Sequence, residues 1–283
     1  MSCTLRDAVA ADAPACGSVC YAAFRSISDA HNFPADFPSA DYTAGLLDML
    51  IEHPGFYGIV AERNGELIGS NFMDERSPIA GIGPISVAPS AQNAGVGRML
   101  MDDAVARAMA CKAGARLVQL AYHNRSLCLY TSVGFRTRQP LSIMQGKALN
   151  ITFPGYEVRA GQPADLDACN EVCREVHGFD RSVEVKEALG QSAAVVEHLG
   201  QVTGYTTTVG FFGHTVAKTN QDLMALIGAA AEFPGPGFLL PTQNFEVFSW
   251  CLTNQLRLVA QATLMTIGLY NEPIGAFLPS VLY

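Results

Sequence analysis

The fold is decided by the stretch Val87-Ala-Pro-Ser-Ala-Gln92-Asn-Ala-Gly95-Val-Gly97-Arg98-Met-Leu100. An apolar segment, 81–87, precedes it and predicts a strand, and the periodicity that follows predicts a helix over 97–112. The two glycines let main-chain N–H groups converge on an anion, and the helix start adds unpaired N–H donors. The pattern therefore predicts a loop that binds phosphate oxygens through its main chain. A tight turn without a ligand is the alternative, because a short glycine pattern is weak evidence by itself.

Further strands and helices are predicted on both sides of this loop. Upstream, the sequence predicts a strand, two helices and a hairpin with an Asn64-Gly65 turn. Downstream it predicts a strand, a helix and a last strand. The predicted ranges are 4–8, 12–27, 41–52, 56–63, 67–73, 116–122, 125–133 and a strand from Phe135. The order is mixed α/β, with the strand–loop–helix unit at its centre.

The chain contains an internal repeat. Residues 5–20 match residues 158–173 at a constant offset of 153, with Arg6 opposite Arg159 and Asp12 opposite Asp165. A later pair, 117–124 and 237–244, aligns loosely as an apolar strand that ends at asparagine. Two matches in the same order predict a duplicated domain, with a boundary near Pro154-Gly155.

Composition and charge exclude several classes of protein. Hydrophobic residues make up 49% of the 283 residues and charged residues 16%, which favours sizeable cores. The net charge of −8 argues against nucleic-acid and anionic-membrane partners, because both recruit positive charge. The start has no basic flank before an apolar core, and the longest nearly apolar run, 223–233, is far shorter than the ~20 residues of a spanning helix. We therefore expect no export signal, no membrane span and a cytoplasmic protein.

The cysteines and the chain end are expected to serve packing. Eight cysteines occur, and 16/20 and 169/173 share the spacing of one helix face. Small buried side chains are the favoured interpretation, and a metal or redox role is the alternative. We predict no metal site. The apolar tail, 270–283, is expected to pack as a strand.

Two motifs carry a family resemblance. Val87–Leu100 resembles the acyl-CoA-binding motif of the GNAT acetyltransferases, Gln/Arg-x-x-Gly-x-Gly/Ala, and Asn124–Phe135 is similar to the segment that ends that fold. The resemblance covers about residues 4–145, and the second half is similar to a degenerate GNAT-like domain. It implies an α/β (mixed α+β) fold of two GNAT-like domains, each a mostly antiparallel splayed sheet flanked by helices. The implied domains are an acetyl-CoA-binding catalytic domain, 1–150, and a degenerate domain, 151–283.

The resemblance also implies where acetyl-CoA, the expected cosubstrate, binds. The central strand should part from its neighbour at a bulge near Gly83-Pro84 and so open a slot for pantetheine. The second half has no glycines in the comparable stretch, 216–224, and should lack a pyrophosphate site. Asn124 is expected on the pantetheine arm, although a helix cap is an equal alternative. The expected cofactor-binding residues are Ile85, Ser86, Val87, Gln92, Asn93, Ala94, Gly95, Val96, Gly97, Arg98, Asn124 and Tyr130.

Catalytic groups are harder to assign. The family position makes Tyr130 the expected acid for the departing CoA thiolate, and a core aromatic is the alternative. The strand 81–87 has no carboxylate, so the candidate bases are Asp74, Glu75 and His123. A solvated ion pair, a structural histidine, a water chain or an amine of low pKa are the alternatives. The loop 31–39 is expected either to cover the acyl slot or simply to connect two helices.

These features together predict an N-acetyltransferase. The expected reaction moves an acetyl group from acetyl-CoA to a primary amine of a small molecule by direct attack. A non-catalytic acyl-CoA-binding or regulatory module and a protein N-terminal acetyltransferase are the alternatives. The expected partners are acetyl-CoA and the amine, with no nucleic acid and no membrane, and a homodimer is a further expectation.

Overall fold

The computed structural model describes residues 3–282, in which strands and helices follow one another in two similar series. The first series comprises β1 (Thr4–Asp7), α1 (Ala13–Ala30), α2 (Ala40–Glu52), β2 (Phe56–Arg63), β3 (Glu66–Asp74), β4 (Ile79–Val87), α3 (Val96–Cys111), β5 (Gly114–Leu120), α4 (Asn124–Ser132) and β6 (Arg136–Gln145). The second comprises β7 (Tyr156–Ala160), α5 (Leu166–His177), α6 (Ser182–Ala188), β8 (Ala194–His198), β9 (Gln201–Thr206), β10 (Thr215–Ala217), α7 (Asn220–Ala229), β11 (Phe238–Pro241), α8 (Phe245–Thr253), β12 (Arg257–Gly268) and β13 (Ala276–Leu278). The predicted order of the first half is confirmed.

The repeat is visible in one ion cluster that each half contains. The Arg6 guanidinium donates to both oxygens of Asp12, at 2.6 and 2.8 Å, and to Glu62. Arg159 makes the matching pair with Asp165 at 2.7 and 2.8 Å, and also contacts Glu197. In both halves the aspartate also accepts a main-chain N–H three residues earlier, so it fixes the turn that leads into α1 or α5. The matched residues of the sequence thus have matched structural roles.

The strands form two sheets that exchange strands between the halves. The larger sheet has the order β1-β2-β3-β4-β5-β12-β6-β11, and the smaller has the order β13-β10-β9-β8-β7. β12 comes from the second half, yet it lies between β5 and β6 of the first half and is antiparallel to both. β6 in turn pairs with β11. The GNAT-like fold expected from the resemblance is confirmed, but the larger sheet is shared by both halves.

This exchange affects how the two predicted ranges are understood. The connection over 146–155 does lie between the two series of elements. However, no sheet edge separates 1–150 from 151–283 at this position, because residues 257–268 complete the sheet of the first half. The division into two ranges stays a prediction about the sequence repeat.

Helices cover both faces of the larger sheet. On one face, α1 and α2 pack through Cys16, Cys20 and Leu47 against Val60 and Phe72. On the other face lies a cluster with α3 and α4, which contains Met101, Ala104, Tyr130, Ile82 and Leu117. We refer to these as the α1 face and the α3 face. Across residues 3–282, none of the helices has the length and apolar character needed to cross a bilayer.

The cysteine and tail predictions can be compared with these clusters. Five cysteines (Cys16, Cys20, Cys169, Cys173 and Cys251) are buried, as expected for small apolar side chains. The tail forms β13 and then continues to the larger sheet, where the Leu282 carbonyl lies so close to Gly81 that no Cβ would fit. The expectation that the tail packs as a strand is confirmed only for Ala276–Leu278, since residues 270–275 form no strand and Ile274 is 81% exposed, and Tyr283 lies outside the described residues.

Candidate active site

The two central strands of the larger sheet separate after three residue pairs. β4 and β5 are parallel and pair at Ile79–Gly81 with Gly114–Arg116, and in the described part of the chain their ladder ends there. A register shift between β3 and β4 places Gly83 and Pro84 together opposite a single residue. Such a bulge bends the strand, and proline has no N–H for the ladder. Residues 82–87 and 117–120 therefore form the walls of an open slot, which we call the β4–β5 slot.

Main-chain groups of β4 face this slot. Neighbouring residues of an antiparallel strand direct their peptide groups to opposite edges. The Ala88 N–H donates to the Ile68 carbonyl of β3 at 2.8 Å, so the same alternation pairs the main chain of Ser86 with β3. The main chains of Ile85 and Val87 are therefore directed into the slot. Among the three residues expected at pantetheine, these two have the suitable main-chain orientation.

The loop after β4 leads into a helix start that no side chain caps within residues 3–282. Gly95 has a left-handed φ of 84°, and Asn93 has a φ of 65°. No acidic residue lies in the first turn of α3, and the first helical hydrogen bond runs from the Met99 N–H to the Gly95 carbonyl. The N–H groups of residues 96–98 are thus left for an anion. A Cβ at Gly95 would meet open space, which agrees with a loop that offers its main chain to a ligand.

Side chains fix this loop to α4. Gln92 Nε2 donates to the Val87 carbonyl at 3.2 Å. Arg125 of α4 donates to Gln92 Oε1 at 3.2 Å and to Asn93 Oδ1 at 2.7 Å. Arg98 is held by Asp102 and by Ser132. Sequence reasoning missed Arg125, because 32 residues separate it from Asn93 and only the fold brings the two together.

Asn124 and Tyr130 both lie on α4. Asn124 is its first residue, His123 is the N-cap, and no cap bond forms through a side chain among the described residues. In the second half, by contrast, Asn244 does cap its helix by accepting the Val247 N–H. The helix-cap alternative therefore fits Asn244 better than Asn124, whose amide lies at the surface beside the loop.

The Tyr130 side chain is 9% exposed and belongs to the cluster that contains Ile82 and Leu117, where the strands separate. Burial raises the pKa of the Tyr130 hydroxyl above its ordinary value. None of the described residues forms a hydrogen bond with this hydroxyl, whose pKa is shifted by burial alone. A hydroxyl in this state is a proton donor and not a base.

The two candidate carboxylates are engaged by arginines. Asp74 accepts from Arg76 at 2.6 and 3.0 Å and is 4% exposed. Glu75 accepts from Arg107 at 2.8 Å through each oxygen. Both lie beside the end of β4 that is still paired with β5, since Asp74 is opposite Gly81. A base at either position would first have to leave its ion pair.

His123 follows β5 at the far end of the slot. Its carbonyl accepts from Ser126 Oγ at 2.8 Å and from Gln119 Nε2 at 2.9 Å, which fixes the start of α4. Burial, together with the charge of Arg125, lowers the pKa of the His123 imidazole. A neutral imidazole can accept a proton, so this residue stays a candidate base.

The aromatic loop 31–39 lies over the end of β5. The Phe33 ring stacks on Tyr122, with centroids 4.2 Å apart and planes inclined by 14°. Phe37 packs edge-on against Phe24 of α1 at 5.2 Å. These contacts place the loop beside α1 and the end of β5, and a cover over the acyl slot stays a prediction.

In the second half, other segments of the chain occupy the positions that correspond to the β4–β5 slot and to the open start of α3. The tail strand β13 pairs with β10, at the edge that β4 leaves open in the first half, and it also contacts β11. The helix that follows, α7, caps its own start, because Thr219 and Asp222 bond each other's N–H groups. In the second half, β13 thus takes the place of the slot, and the cap of α7 takes the place of the open helix start.

Comparison with known proteins supports the same fold. Residues 23–135 match the model of the acetyltransferase (GNAT) family. A protein from Pyrococcus horikoshii that is assigned as an acetyltransferase superposes with a TM-score of 0.71 at 16% identity, over 97% of this chain and 94% of that one. A GCN5-related N-acetyltransferase from Sphaerobacter thermophilus has a TM-score of 0.62 at 14% identity, over 95% and 96% of the two chains.

A tandem GNAT protein from the clavulanic acid biosynthesis pathway is also similar, with a TM-score of 0.58 at 13% identity, over 94% of this chain and 98% of that one. No curated protein matches the chain. At these identities the structural likeness shows the fold, and it extends over both halves.

Proposed function

We propose that this chain transfers an acetyl group from acetyl-CoA to a primary amine of a small molecule, because residues 23–135 match the model of the GNAT acetyltransferase family and the fold is similar to that of a tandem GNAT protein. The observation that carries the proposal is the β4–β5 slot together with the uncapped start of α3. One offers main-chain partners to an extended amide arm, and the other offers N–H donors to a diphosphate. An acyl-CoA is a cosubstrate that has both an extended amide arm and a diphosphate.

The first step is binding through the main chain. The N–H groups at residues 96–98 hold the pyrophosphate, with the side chains of Gln92 and Asn93 kept in place by Arg125. Ile85 and Val87 pair with the pantetheine amides, and Asn124 donates to the same arm. The chain needs no excess of positive charge for this mode of binding, which is consistent with its net charge of −8.

The second step is acyl transfer. A main-chain N–H that faces the slot at Ile85 stabilises the oxygen of the thioester carbonyl when the amine attacks. Tyr130 then donates its proton to the departing sulfur from the α3 face. Its raised pKa keeps the hydroxyl protonated until that moment.

The proposal also includes a cytoplasmic localisation, a homodimer and an amine as the acceptor. A non-catalytic acyl-CoA-binding module is the second candidate, and one observation favours it. β4 carries no carboxylate along its whole length, Ile79–Val87, so the strand itself supplies no base. A protein N-terminal acetyltransferase would require a peptide to reach the same slot.

Release of free thiol from acetyl-CoA distinguishes these functions. We expect thiol release in the presence of at least one of putrescine, tyramine or glycine methyl ester, which present primary amines in different settings. Binding of acetyl-CoA without thiol release across the three amines would favour the module. Thiol release only with a peptide that has a free N-terminus would favour the N-terminal acetyltransferase.

The CoA site itself is tested by Gly97→Glu. A Cβ at this position would lie 3.3 Å from Leu129, and the added carboxylate would oppose a diphosphate at the helix start. We expect calorimetry to detect no acetyl-CoA binding. The matched control is Gly45→Glu on α2, where a Cβ meets nothing within 4 Å. Unchanged affinity in Gly97→Glu would refute the site.

A further inference from the structure

One carboxylate of the loop 31–39 lies close to the β4–β5 slot. Asp36 Oδ2 accepts a hydrogen bond from Ser28 Oγ at 2.9 Å, and Ser28 is fully buried at the end of α1. Asp36 itself keeps exposed surface, so a ligand can reach it. Phe33 and Phe37 flank it in sequence, and the loop is held on either side because Phe33 stacks on Tyr122 and Phe37 packs edge-on against Phe24.

Asp36 is linked to both walls of the slot. On the β5 side, Phe33 of the same loop stacks on Tyr122, which follows the end of β5. On the β4 side, Asp36 is bonded to Ser28 of α1, and α1 packs against β4. The carboxylate therefore lies on the α1 face, between the end of β5 and the stretch of β4 that faces the slot.

This face is opposite to the one that carries Tyr130. Tyr130 packs with α3 residues, whereas Asp36 bonds α1. In a direct transfer the amine adds to the thioester carbonyl carbon and the C–S bond of the tetrahedral intermediate then breaks, so a base is needed beside the amine and an acid beside the sulfur. Asp74 and Glu75, held by Arg76 and Arg107, do not offer a free carboxylate there.

We propose that Asp36 binds the ammonium group of the acceptor and takes its proton before attack. The inference rests on the proposed function and deepens it, since it selects cationic primary amines as the acceptor class. A carboxylate fixed beside a wall of aromatic rings suits an acceptor with a positive charge next to an apolar body.

The proposed step balances as follows. The ammonium gives one proton to Asp36, and the neutral amine forms a C–N bond to the acetyl carbonyl carbon. The C–S bond breaks, Tyr130 protonates the CoA sulfur, and the second amine proton returns to the tyrosine oxygen. The products are the N-acetyl amine, free CoA and one proton that Asp36 passes to solvent.

The chemistry of the carboxyl supports this role. Crowding by the loop and α1 raises the pKa of Asp36 above its ordinary value, against the opposite effect of the Ser28 hydrogen bond. A carboxylate with a raised pKa is a stronger base toward an ammonium. The titratable neighbours that face it are Cys20 on α1 and Tyr122 after β5, while His31 of the same loop packs on that tyrosine.

The test compares Asp36→Asn with Asp29→Asn. Asparagine keeps the shape and the Ser28 contact but cannot take a proton, whereas Asp29 is an exposed partner of Arg25 at the end of α1. We expect Asp36→Asn to lower kcat/KM for putrescine or tyramine about 100-fold, with acetyl-CoA affinity unchanged by calorimetry. Hydroxylamine, which is already neutral at mildly alkaline pH, should lose far less rate. Asp29→Asn should behave as the wild type.

The outcomes separate this inference from the proposed function. Equal losses with tyramine and hydroxylamine, or no loss with either, overturn the role of Asp36 while acetyl transfer stands. A crystal structure with acetyl-CoA in which the thioester faces away from Asp36 overturns it as well. If the wild type acetylates none of the amines, the proposed function and this inference both fail.

Discussion

The environment of single side chains decides which chemistry the slot supports. Tyr130 is buried without a hydrogen-bond partner among the described residues, and burial raises the pKa of its hydroxyl. Removing only that oxygen should therefore slow the departure of the CoA thiolate and leave the binding of acetyl-CoA unchanged. We predict that Tyr130→Phe lowers turnover by about 10²-fold or more and changes acetyl-CoA affinity less than twofold, as measured by thiol release and calorimetry.

Tyr57→Phe is the matched control for this prediction. Tyr57 lies on the same face of the sheet, but its hydroxyl donates to Asp103 at 3.0 Å, outside the slot. Loss of that bond should cost about 1 kcal/mol of stability and no turnover. Equal turnover in Tyr130→Phe and the wild type would remove Tyr130 from the mechanism.

Sequence reasoning reached the residues that belong to one local segment. Gly95 and Gly97 could be assigned because the loop, the helix start and the glycines are all contiguous. Arg125 and Asp36 could not, because Arg125 acts on Asn93 across 32 residues, and the loop of Asp36 reaches the end of β5 only through the stacking of Phe33 on Tyr122. Nothing in the local spacing of these residues indicates such contacts.

At the scale of elements, α6 carries a buried charge cluster inside the second half and an exposed carboxylate that contacts the first half. Glu184 accepts from Arg181 at 2.6 and 2.8 Å and lies 3.4 Å from His214 Nδ1, whose other nitrogen contacts the Tyr205 hydroxyl at 3.0 Å. One turn later, Glu187 bonds Arg76 and His53 of the first half. Burial lowers the pKa of His214 to about 4, so the imidazole is neutral in the folded chain near neutral pH.

This network predicts loss of stability in mild acid. Between its unfolded pKa of about 6.5 and its folded pKa of about 4, His214 takes up a proton only when the chain unfolds. The free energy of unfolding should therefore fall as the pH falls through that window, by up to about 3 kcal/mol. Urea titrations across the window should show this slope.

The variant His214→Gln should reduce that slope. A residual slope is expected, because burial lowers the pKa of His177 in the same direction. The control His198→Gln changes a histidine of β8 that bonds the Gly155 carbonyl, away from this network. A slope that His214→Gln leaves as steep as in the wild type would contradict this account of the cluster.

The helices and strands could be predicted from the sequence better than the pairing of the strands. Periodicity, the Asn64-Gly65 turn and the Asp-led helix starts gave the order of the first half to within a few residues. The absence of glycines in the stretch 216–224 also predicted that the start of α7 would differ from the glycine-rich start of α3. What could not be predicted is that β13 fills the second slot, since this depends on a strand pairing 60 residues apart in the chain.

At the scale of the molecule, the two halves share one sheet. Strand pairing is non-local, and an apolar strand such as β12 carries no local signal of which half it will join. The repeat predicted two similar units, which the fold confirms, but it suggested separate sheets for 1–150 and 151–283. β12 instead pairs with β5 over 262–268 and with β6 over 257–266.

The exchange predicts that residues 1–150 alone do not form a stable domain. Without β12, both β5 and β6 lose a partner strand, and the buried side chains of Leu141, Ile143 and Met144 lose the strand beside them. We expect this fragment to aggregate or to unfold without cooperativity in a thermal melt followed by circular dichroism. Co-expression with 151–283, or attachment of 257–268 through a flexible linker, should restore a cooperative transition. A fragment that is monomeric, melts cooperatively and binds acetyl-CoA without β12 would show that the exchanged strand is dispensable to the first half.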